Sequence, residues 1–495
     1  RQVMVNCNPE TVSTDPQIST RLYLEPLHPD SVKSILEREL DPIIKAGKEA
    51  YVLVQMGGQT PLSLAQKIEE WGYKILGTPT KSIDLCEDRS AFADYLEKLE
   101  VNYPAFAAAT DLATAEKEAQ RVGYPVLVRP SFVLGGRGMK ICSSKKELQN
   151  AFDEAKNVSE EYPLYLDKFL MRAVEFDVDG ICDGKKAWVA GVMEHVEEAG
   201  VHSGDSSCVI PPFRLPPQKI DEMAGIAKKI ALNSGAKGLF NIQMAVLGEQ
   251  IFVLEANPRA SRTVPYLAKA TGYPVIEWAI RSALGEPLEE ILKEEAKIPG
   301  NYRLPGQGFA VKIPVFPFSK FKKFDPILSP EMRSTGEVMG IDQNPGAAFA
   351  KAFLAAGVEL PVAGRILFSV KDGDKPQILN VARMYHLMGF KIVGTPGTAR
   401  YLKRAGIVSE SVDKIGDGSK ESLLDWIRGG HVQMIINTTE GVTSYQDSLS
   451  IRQVALKYRV PLMTTISAAD MALMAIQVLK EEGIRPTAIQ DFCVL

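Results

Sequence analysis

The 495-residue sequence is short of several features that would fix its role at once. No apolar run approaches the length of a membrane span, and no signal-peptide pattern opens the chain, so no membrane segment is expected. Its six cysteines (Cys7, Cys86, Cys142, Cys182, Cys208 and Cys493) are scattered and form no CxxC pair. That spacing argues against a disulfide framework or a zinc site and suits a reduced, cytoplasmic setting. There is no basic excess either. The 57 Lys and Arg stand against 61 Asp and Glu, a net charge of −4, which argues against a general nucleic-acid binder while leaving room for local basic sites. No solenoid-length repeat and no low-complexity tract appears. The chain begins at Arg1, without a methionine, on what reads as a strand; part of a longer polypeptide, or a processed one, is expected.

What is present is ordinary globular composition, 45% hydrophobic and 24% charged, in a length that suits two to four domains. Residues 1–88 alternate short apolar runs (RQVMVN, RLYLEPL, AYVLVQMGG, YKILGT) with helical stretches at 30–46 and 61–71, the pattern of an α/β unit on one parallel sheet. Residues 89–305 read as α+β. Helices are expected at 89–99, 111–121, 144–156, 216–234 and 274–284, with strands at 124–131 and 162–170 and a set of antiparallel strands through 175–259. Residues 306–361 hold further strands and a helix near 346–355. From 362 to 495 a regular βα alternation predicts a small doubly wound domain.

The polar residues with chemical potential gather at strand ends. In VLEANPRASRTVP (253–265), Glu255 and Asn257 are two apart on a strand and so share a face. If the preceding hairpin turns on the three residues 248–250, Gln243 lies opposite Glu255 on that face; a two-residue turn would send it to the other side. The three oxygen donors Gln243, Glu255 and Asn257 suit Mg²⁺ shared with a nucleotide's phosphates. Arg259 and Arg262 follow, and Arg129 ends another strand just before the glycine-rich FVLGGRGMK (132–140); all three are placed to hold phosphate or a small anion. A strand-end cluster that merely caps a turn is the plainer alternative. The glycine-rich loop matches neither the Walker nor the dinucleotide pattern. EHVEEAGVHSGDSS (194–207) reads as a phosphate or monovalent-cation loop, or a flexible surface loop. In the last domain GTPGTA (394–399) places glycines and threonines at a helix N-terminus, a natural phosphate site. His386 and His431 read as helix-surface or loop residues.

Taken together, VNCNPETVSTD, GGQTPL, VRPSFVLGGRGM, EHVEEAGVHSGD, NIQ, LEANPRASRTVP and MRSTGEVMG closely resemble the C-terminal half of the carbamoyl-phosphate synthase large subunit, over essentially the whole chain. The resemblance implies a multidomain α/β and α+β protein. It would comprise a pre-ATP-grasp domain lacking its first strand (1–88), an ATP-grasp domain (89–305), an extension and connector (306–361) and a methylglyoxal-synthase-like regulatory domain (362–495). It implies phosphorylation of carbamate by ATP with two Mg²⁺ or Mn²⁺ ions on Gln243, Glu255 and Asn257. Nucleotide contacts are implied at Arg129, Lys168, Leu170, Glu175, Gly200, Val201, His202, Ser203, Gln243 and Glu255, with Lys168 acting through its backbone. Arg89, Arg129, Arg259 and Arg262 would attend the transferred phosphate, and Glu175, His195, Glu197 and Ser206 a potassium ion. Thr395, Thr398, Lys414, Asn437, Thr438 and Thr439 would bind the phosphate of an effector such as UMP or IMP. In 416–422, GDGSKES stands where methylglyoxal synthases carry a GGD motif, implying binding without turnover. A carbamate-forming N-terminal half, a glutaminase small subunit and an oligomer are the implied partners. Another ATP-grasp carboxylate–amine ligase, or a non-catalytic nucleotide-binding module, are the rival readings.

Overall fold

The computed structural model describes residues 1–130, 136–156, 163–294, 308–317, 325–413, 422–439 and 441–492. Its centre is a seven-stranded sheet in which every neighbouring pair is antiparallel. The order is Gln250–Asn257, Gly238–Leu247, Val174–Cys182, Ala187–His195, Cys208–Ile210, Phe309–Val315, Gly336–Asp342. The last two strands come from the region expected to be an extension; they complete this sheet. The three-residue strand Cys208–Ile210 that joins them to the rest is too short to show in the sequence pattern.

Both faces of this sheet are covered, so its inner strands are buried throughout rather than alternately. On one face lies the helix Pro217–Ser234. Ile220, Met223, Ala224, Ala227, Ile230 and Ala231 recur at helical spacing and pack on Phe176, Val178, Met244 and Val253. Gly235, left-handed at φ +77°, ends the helix. The other face carries Trp188, Tyr266, Leu267, Tyr273 and Trp278, supplied partly by the helix Val264–Thr271. That helix was not expected: a proline at its second position and a run of apolar residues hide its start.

A second, four-stranded antiparallel sheet runs Phe106–Ala109, Leu164–Lys168, Val126–Pro130, Lys140–Cys142, backed by the helices Leu112–Val122 and Lys145–Lys156. The C-terminal domain has a parallel sheet in the order Ser409–Ser411, Lys391–Gly394, Arg365–Ser369, Met434–Asn437, Leu462–Met463. The doubly wound expectation therefore holds, with Ser409–Ser411 as a strand the sequence did not show. Residues 1–88 differ from expectation in one respect. All four strands form and pair in parallel, but as two separate pairs, Val3–Val5 with Arg21–Tyr23 and Tyr51–Val52 with Lys74–Ile75. Each strand is only two or three residues long, enough to pair with one neighbour.

Candidate functional site

The hairpin of the central sheet brings the expected donors together by a different route from the one anticipated. Leu247 pairs with Gln250, so the turn has two residues, not three. On parity alone that would carry Gln243 to the wrong face. The register shifts, however, between Met244, which pairs with Val253, and Gln243, which pairs with Glu255. Leu254 is the extra residue of a β-bulge, and the bulge restores Gln243 opposite Glu255. A bulge leaves a ladder group unpaired. Here the Leu254 carbonyl accepts from Arg89 Nη1 at 3.0 Å.

At the strand end Asn257 Nδ2 donates to Glu255 Oε1 at 3.0 Å, and Asn257 Oδ1 accepts from Arg259 Nη2 at 3.3 Å. Arg129 Nη2, reaching across from the four-stranded sheet, stands 3.6 Å from Glu255 Oε2. Arg259 Nε is buried and has no hydrogen-bond partner among the described residues. Glu255, Gln243 and Asn257 supply a carboxylate and two amide oxygens, a hard donor set that fits Mg²⁺ or Mn²⁺. Glu255, Arg129, Pro130 and Tyr165 line one cleft with Glu87, Asp88, Arg89 and Leu254. Desolvation by the cleft walls raises the Glu87 carboxyl; Glu255 adds to it, while Gln59, Arg259 and Arg129 oppose.

Arg89 is nearly enclosed. Its Nε and Nη2 both donate to Asp167 Oδ1, at 3.0 and 2.6 Å, so three of its N–H groups are committed within the protein. Arg262 Nη1 lies against Met332 Sδ. Burial, then repulsion from Arg259, lowers its pKa.

The loop 198–206 closes over the same region. Gly200 N donates to Glu175 Oε1 at 2.9 Å, and a side chain at Gly200 (φ +90°) would strike Phe169. His202 Nδ1 accepts from Gly204 N at 3.0 Å. Burial, aided by Arg262, lowers the His202 pKa, and with Nδ1 accepting, the neutral ring carries its proton on Nε2. Ser203 O accepts from Lys312 Nζ at 3.4 Å. Lys312 is buried; desolvation works against its charge, but Cys208, Glu337, Asp177 and Glu197 outweigh it and keep the ammonium charged. Lys168 Nζ donates to the carbonyls of Gly123 and Tyr124 at 2.8 and 2.9 Å. Its side chain is thereby spent on a turn, and its backbone N–H donates to Ala105 O at 2.7 Å. Leu170 and Val201 lie in the connector and loop beside it.

The four residues expected around potassium lie together, but their groups are partly engaged. The His195 ring bonds Asp177 at 2.8 Å and stands 3.7 Å from Glu175, and its carbonyl accepts from Arg214 at 2.6 Å. Burial disfavours charge on His195, yet Cys208 and the Asp177 and Glu175 carboxylates hold its pKa well above the ordinary value. Glu197 accepts from Ser207 N and Oγ, and Ser206 is buried beside it. A cation there would lean on Glu175, Glu197 and Ser206.

Several residues that hold the site were missed. Gln55 donates to Pro258 O at 2.6 Å and to Thr78 Oγ1, and its own carbonyl takes Ala260 N, so the first domain clamps the loop after the strand Gln250–Asn257. Asn241 donates to Asp177 and Asp179, both at 3.1 Å, and accepts from Asn257. Asp179 also takes Ser261 Oγ and Thr263 Oγ1 at 2.7 Å. Asn241, two before Gln243, shares its parity; that signal was available. Burial and the neighbouring Asp177 push the Asp179 carboxyl up to about 7. Against an unfolded value of about 3.9, the folded protein binds the extra proton between about pH 4 and 7, so this group's contribution to stability falls as pH rises through that window. The Asp179→Asn protein, compared with the parent by thermal melting from pH 4 to 8, is expected to lose that downward slope; parallel pH curves would contradict it.

In the C-terminal domain Thr395, Thr398, Asn437 and Thr438 converge at the carboxyl ends of three parallel strands. Thr395 Oγ1 bonds Thr398 Oγ1, Val370 N donates to Thr398 Oγ1, Lys371 N to Thr438 Oγ1, and Asn437 Nδ2 to Ser369 O. Thr439 follows directly. Lys414, most of the GDGSKES stretch, Gly135 and Cys493 lie outside the described residues. His386 and His431 are exposed, as expected.

Three family descriptions match the chain in order. They are the carbamoyl phosphate synthase preATP-grasp domain over residues 1–85, the carbamoyl-phosphate synthase L chain ATP binding domain over 88–291, and an MGS-like domain over 377–464. The chain is 44% identical to the carbamoyl phosphate synthase large chain, C-terminal section, of Aquifex aeolicus, covering 97% of this chain and 90% of that one. This chain belongs to the carbamoyl phosphate synthase large-chain family. It is 47% identical to the large chain of Acidobacterium capsulatum over 99% of its own length but only 44% of that protein's, so it spans less than half of such full-length relatives. The biotin carboxylase domain of Hydrogenobacter thermophilus 2-oxoglutarate carboxylase, solved with MgADP and bicarbonate, shares the fold over 71% of this chain and 84% of its own, with a TM-score of 0.54 and 18% identity. The family assignment accounts for both antiparallel sheets and for the separate βα domain. Among the described residues no helix is long and apolar enough to cross a membrane.

Proposed function

We propose that the cleft at Glu255 transfers the γ-phosphoryl group of ATP to carbamate, giving carbamoyl phosphate and ADP. The observation that carries this reading is the strand end itself. Gln243, Glu255 and Asn257 present three oxygens beside Arg129 and Arg259, and Arg259 keeps a buried donor without a hydrogen-bond partner among the described residues.

In this reading a carbamate oxygen attacks the γ-phosphorus in line; a new P–O bond forms as the bond to the β-phosphate oxygen breaks, and ADP carries away the charge. Arg129 and Arg259 orient and neutralise the transferring group from opposite walls. Arg89 lines the cleft and sets the bulge beneath it, and Arg262 with His202 Nε2–H faces the phosphates from the loop side. Lys168, Leu170, Glu175, Gly200, Val201 and Ser203 border the nucleotide. When bound to Gln243, Glu255 and Asn257, Mg²⁺ or Mn²⁺ would screen the phosphate charge; a potassium ion would sit against Glu175, Glu197 and Ser206. The C-terminal pocket of Thr395, Thr398, Asn437, Thr438 and Thr439, with Lys414, would take the phosphate of a nucleotide such as UMP or IMP. The working assembly would be cytoplasmic and oligomeric. It would include an N-terminal half that makes carbamate and a glutaminase small subunit that supplies ammonia, serving pyrimidine and arginine biosynthesis.

The partial reverse reaction tests the proposal without any partner. The purified chain, given carbamoyl phosphate and MgADP, is expected to form ATP. If no ATP forms while the protein binds MgADP, the assignment to phosphoryl transfer with this acceptor fails.

A further inference from the structure

The segment 325–334 touches both the loop 198–206 and Arg452, which bonds Asn437 of the C-terminal phosphate pocket. At one end its backbone is tied to the loop over the nucleotide. Ser329 O accepts from His202 N at 3.0 Å, and the N–H groups of Arg333 and Ser334 both donate to Asp205, at 2.7 and 2.9 Å. Asp205 is fully buried, and Ser334 Oγ adds a bond to Gly204 O at 3.1 Å. The glycine-rich loop rests on the same segment: a Cβ at Gly136 (φ +69°) would lie 2.0 Å from Pro330 O, so only glycine lets the two backbones meet.

At its other end the segment enters the C-terminal domain. Asp325 accepts a two-pronged bond from Arg452, Nε to Oδ1 at 2.7 Å and Nη2 to Oδ2 at 2.6 Å. Arg452, on the helix Gly441–Lys457, has no exposed side-chain surface. Its Nη1 donates to Asn437 Oδ1 at 3.3 Å, and Asn437 is one of the phosphate-pocket residues. A fully buried guanidinium needs its carboxylate, since losing one partner of such a pair leaves an unpaired buried charge. Any shift of Asn437 on binding an anion is therefore felt by Arg452 and passed to Asp325.

We propose that Asp325 and Arg452 form a latch through which an anion in the Asn437 pocket sets the position of the nucleotide loop 198–206. Both are positioning residues; neither lines the cleft at Glu255. The inference rests on the effector pocket proposed above and adds the path by which occupancy there reaches the ATP site.

The test uses the full chain, with UMP, IMP and inorganic phosphate as probes and ATP formation from carbamoyl phosphate and MgADP as readout. In the parent protein a bound nucleotide should shift the KM for MgADP by a factor on the order of 5–150, the usual span of coupling between sites. Asp325→Asn should still bind the nucleotide by calorimetry and still form ATP, yet its KM for MgADP should no longer respond. A variant that binds and responds like the parent overturns the latch. A parent that binds none of the three probes overturns the pocket, and the latch with it; calorimetry on the parent keeps the two failures apart. Should Asp325→Asn not fold, hydrogen exchange on the parent decides. Bound nucleotide must change protection in 198–206 and 325–334, and unchanged exchange there rejects the latch.

Discussion

Replacing Glu255 by alanine is expected to lower ATP formation from carbamoyl phosphate by a factor on the order of 10³ or more, the scale set by removing one charge-stabilising group from phosphoryl transfer. Glu255 is the one carboxylate among the three donors, and its loss also leaves Arg129 facing the phosphates without a counter-charge. Stability should scarcely change. The side chain is about one-third exposed, at 35%, and substitutions at such positions usually stay within about 0.5 kcal/mol. A melting curve and a steady-state rate on the same preparation decide it. Near-normal rate in the well-folded variant would remove Glu255 from the site.

The second large effect is on stability. Arg89 and Asp167 are a buried pair, each side chain 8% exposed. Arg89→Met should cost about 3–5 kcal/mol, because Asp167 is left charged and unpaired, and Asp167→Leu should cost a similar amount. The double variant should recover part of the loss, with a coupling of about 0.5–3 kcal/mol. Urea denaturation of the four proteins measures it; strictly additive losses would show that the pair does not interact in the folded state. Arg89 also carries the Leu254 carbonyl, so the single variant tests whether the bulge survives without it. If the bulge relaxes, Gln243 moves off the Glu255 face, and activity falls further than the loss of stability explains.

The donors Gln243, Glu255 and Asn257 were legible because side-chain parity and residue chemistry are local properties. The bulge was not. Nothing in NIQMAVLGEQIFVLEAN marks Leu254 as the extra residue, since what stabilises it is Arg89, more than 160 positions away in the sequence. The same holds for Gln55, which meets Pro258 only once two domains dock. Strands such as Cys208–Ile210 and Ser409–Ser411 escaped for another reason: three residues carry too little periodicity to separate a strand from a loop. The resemblance to the large-chain family drew attention to the loop 198–206, but not to the roles of Asp205, Lys312 or Asp179, which lie in buried bonds between elements.

The helix Ile466–Glu481 belongs to two cores at once. Ala469, Ala472, Leu473 and Ile476 pack in the core of the parallel sheet. Met471 and Ala475 pack with Val311, Ala348 and Ala352, the core that the helix Pro345–Ala355 builds on the central sheet. Peeling the C-terminal domain away would strip apolar surface from both, so their unfolding is expected to be cooperative. The boundary near residue 362 divides the chain by topology, whereas the apolar packing runs across it.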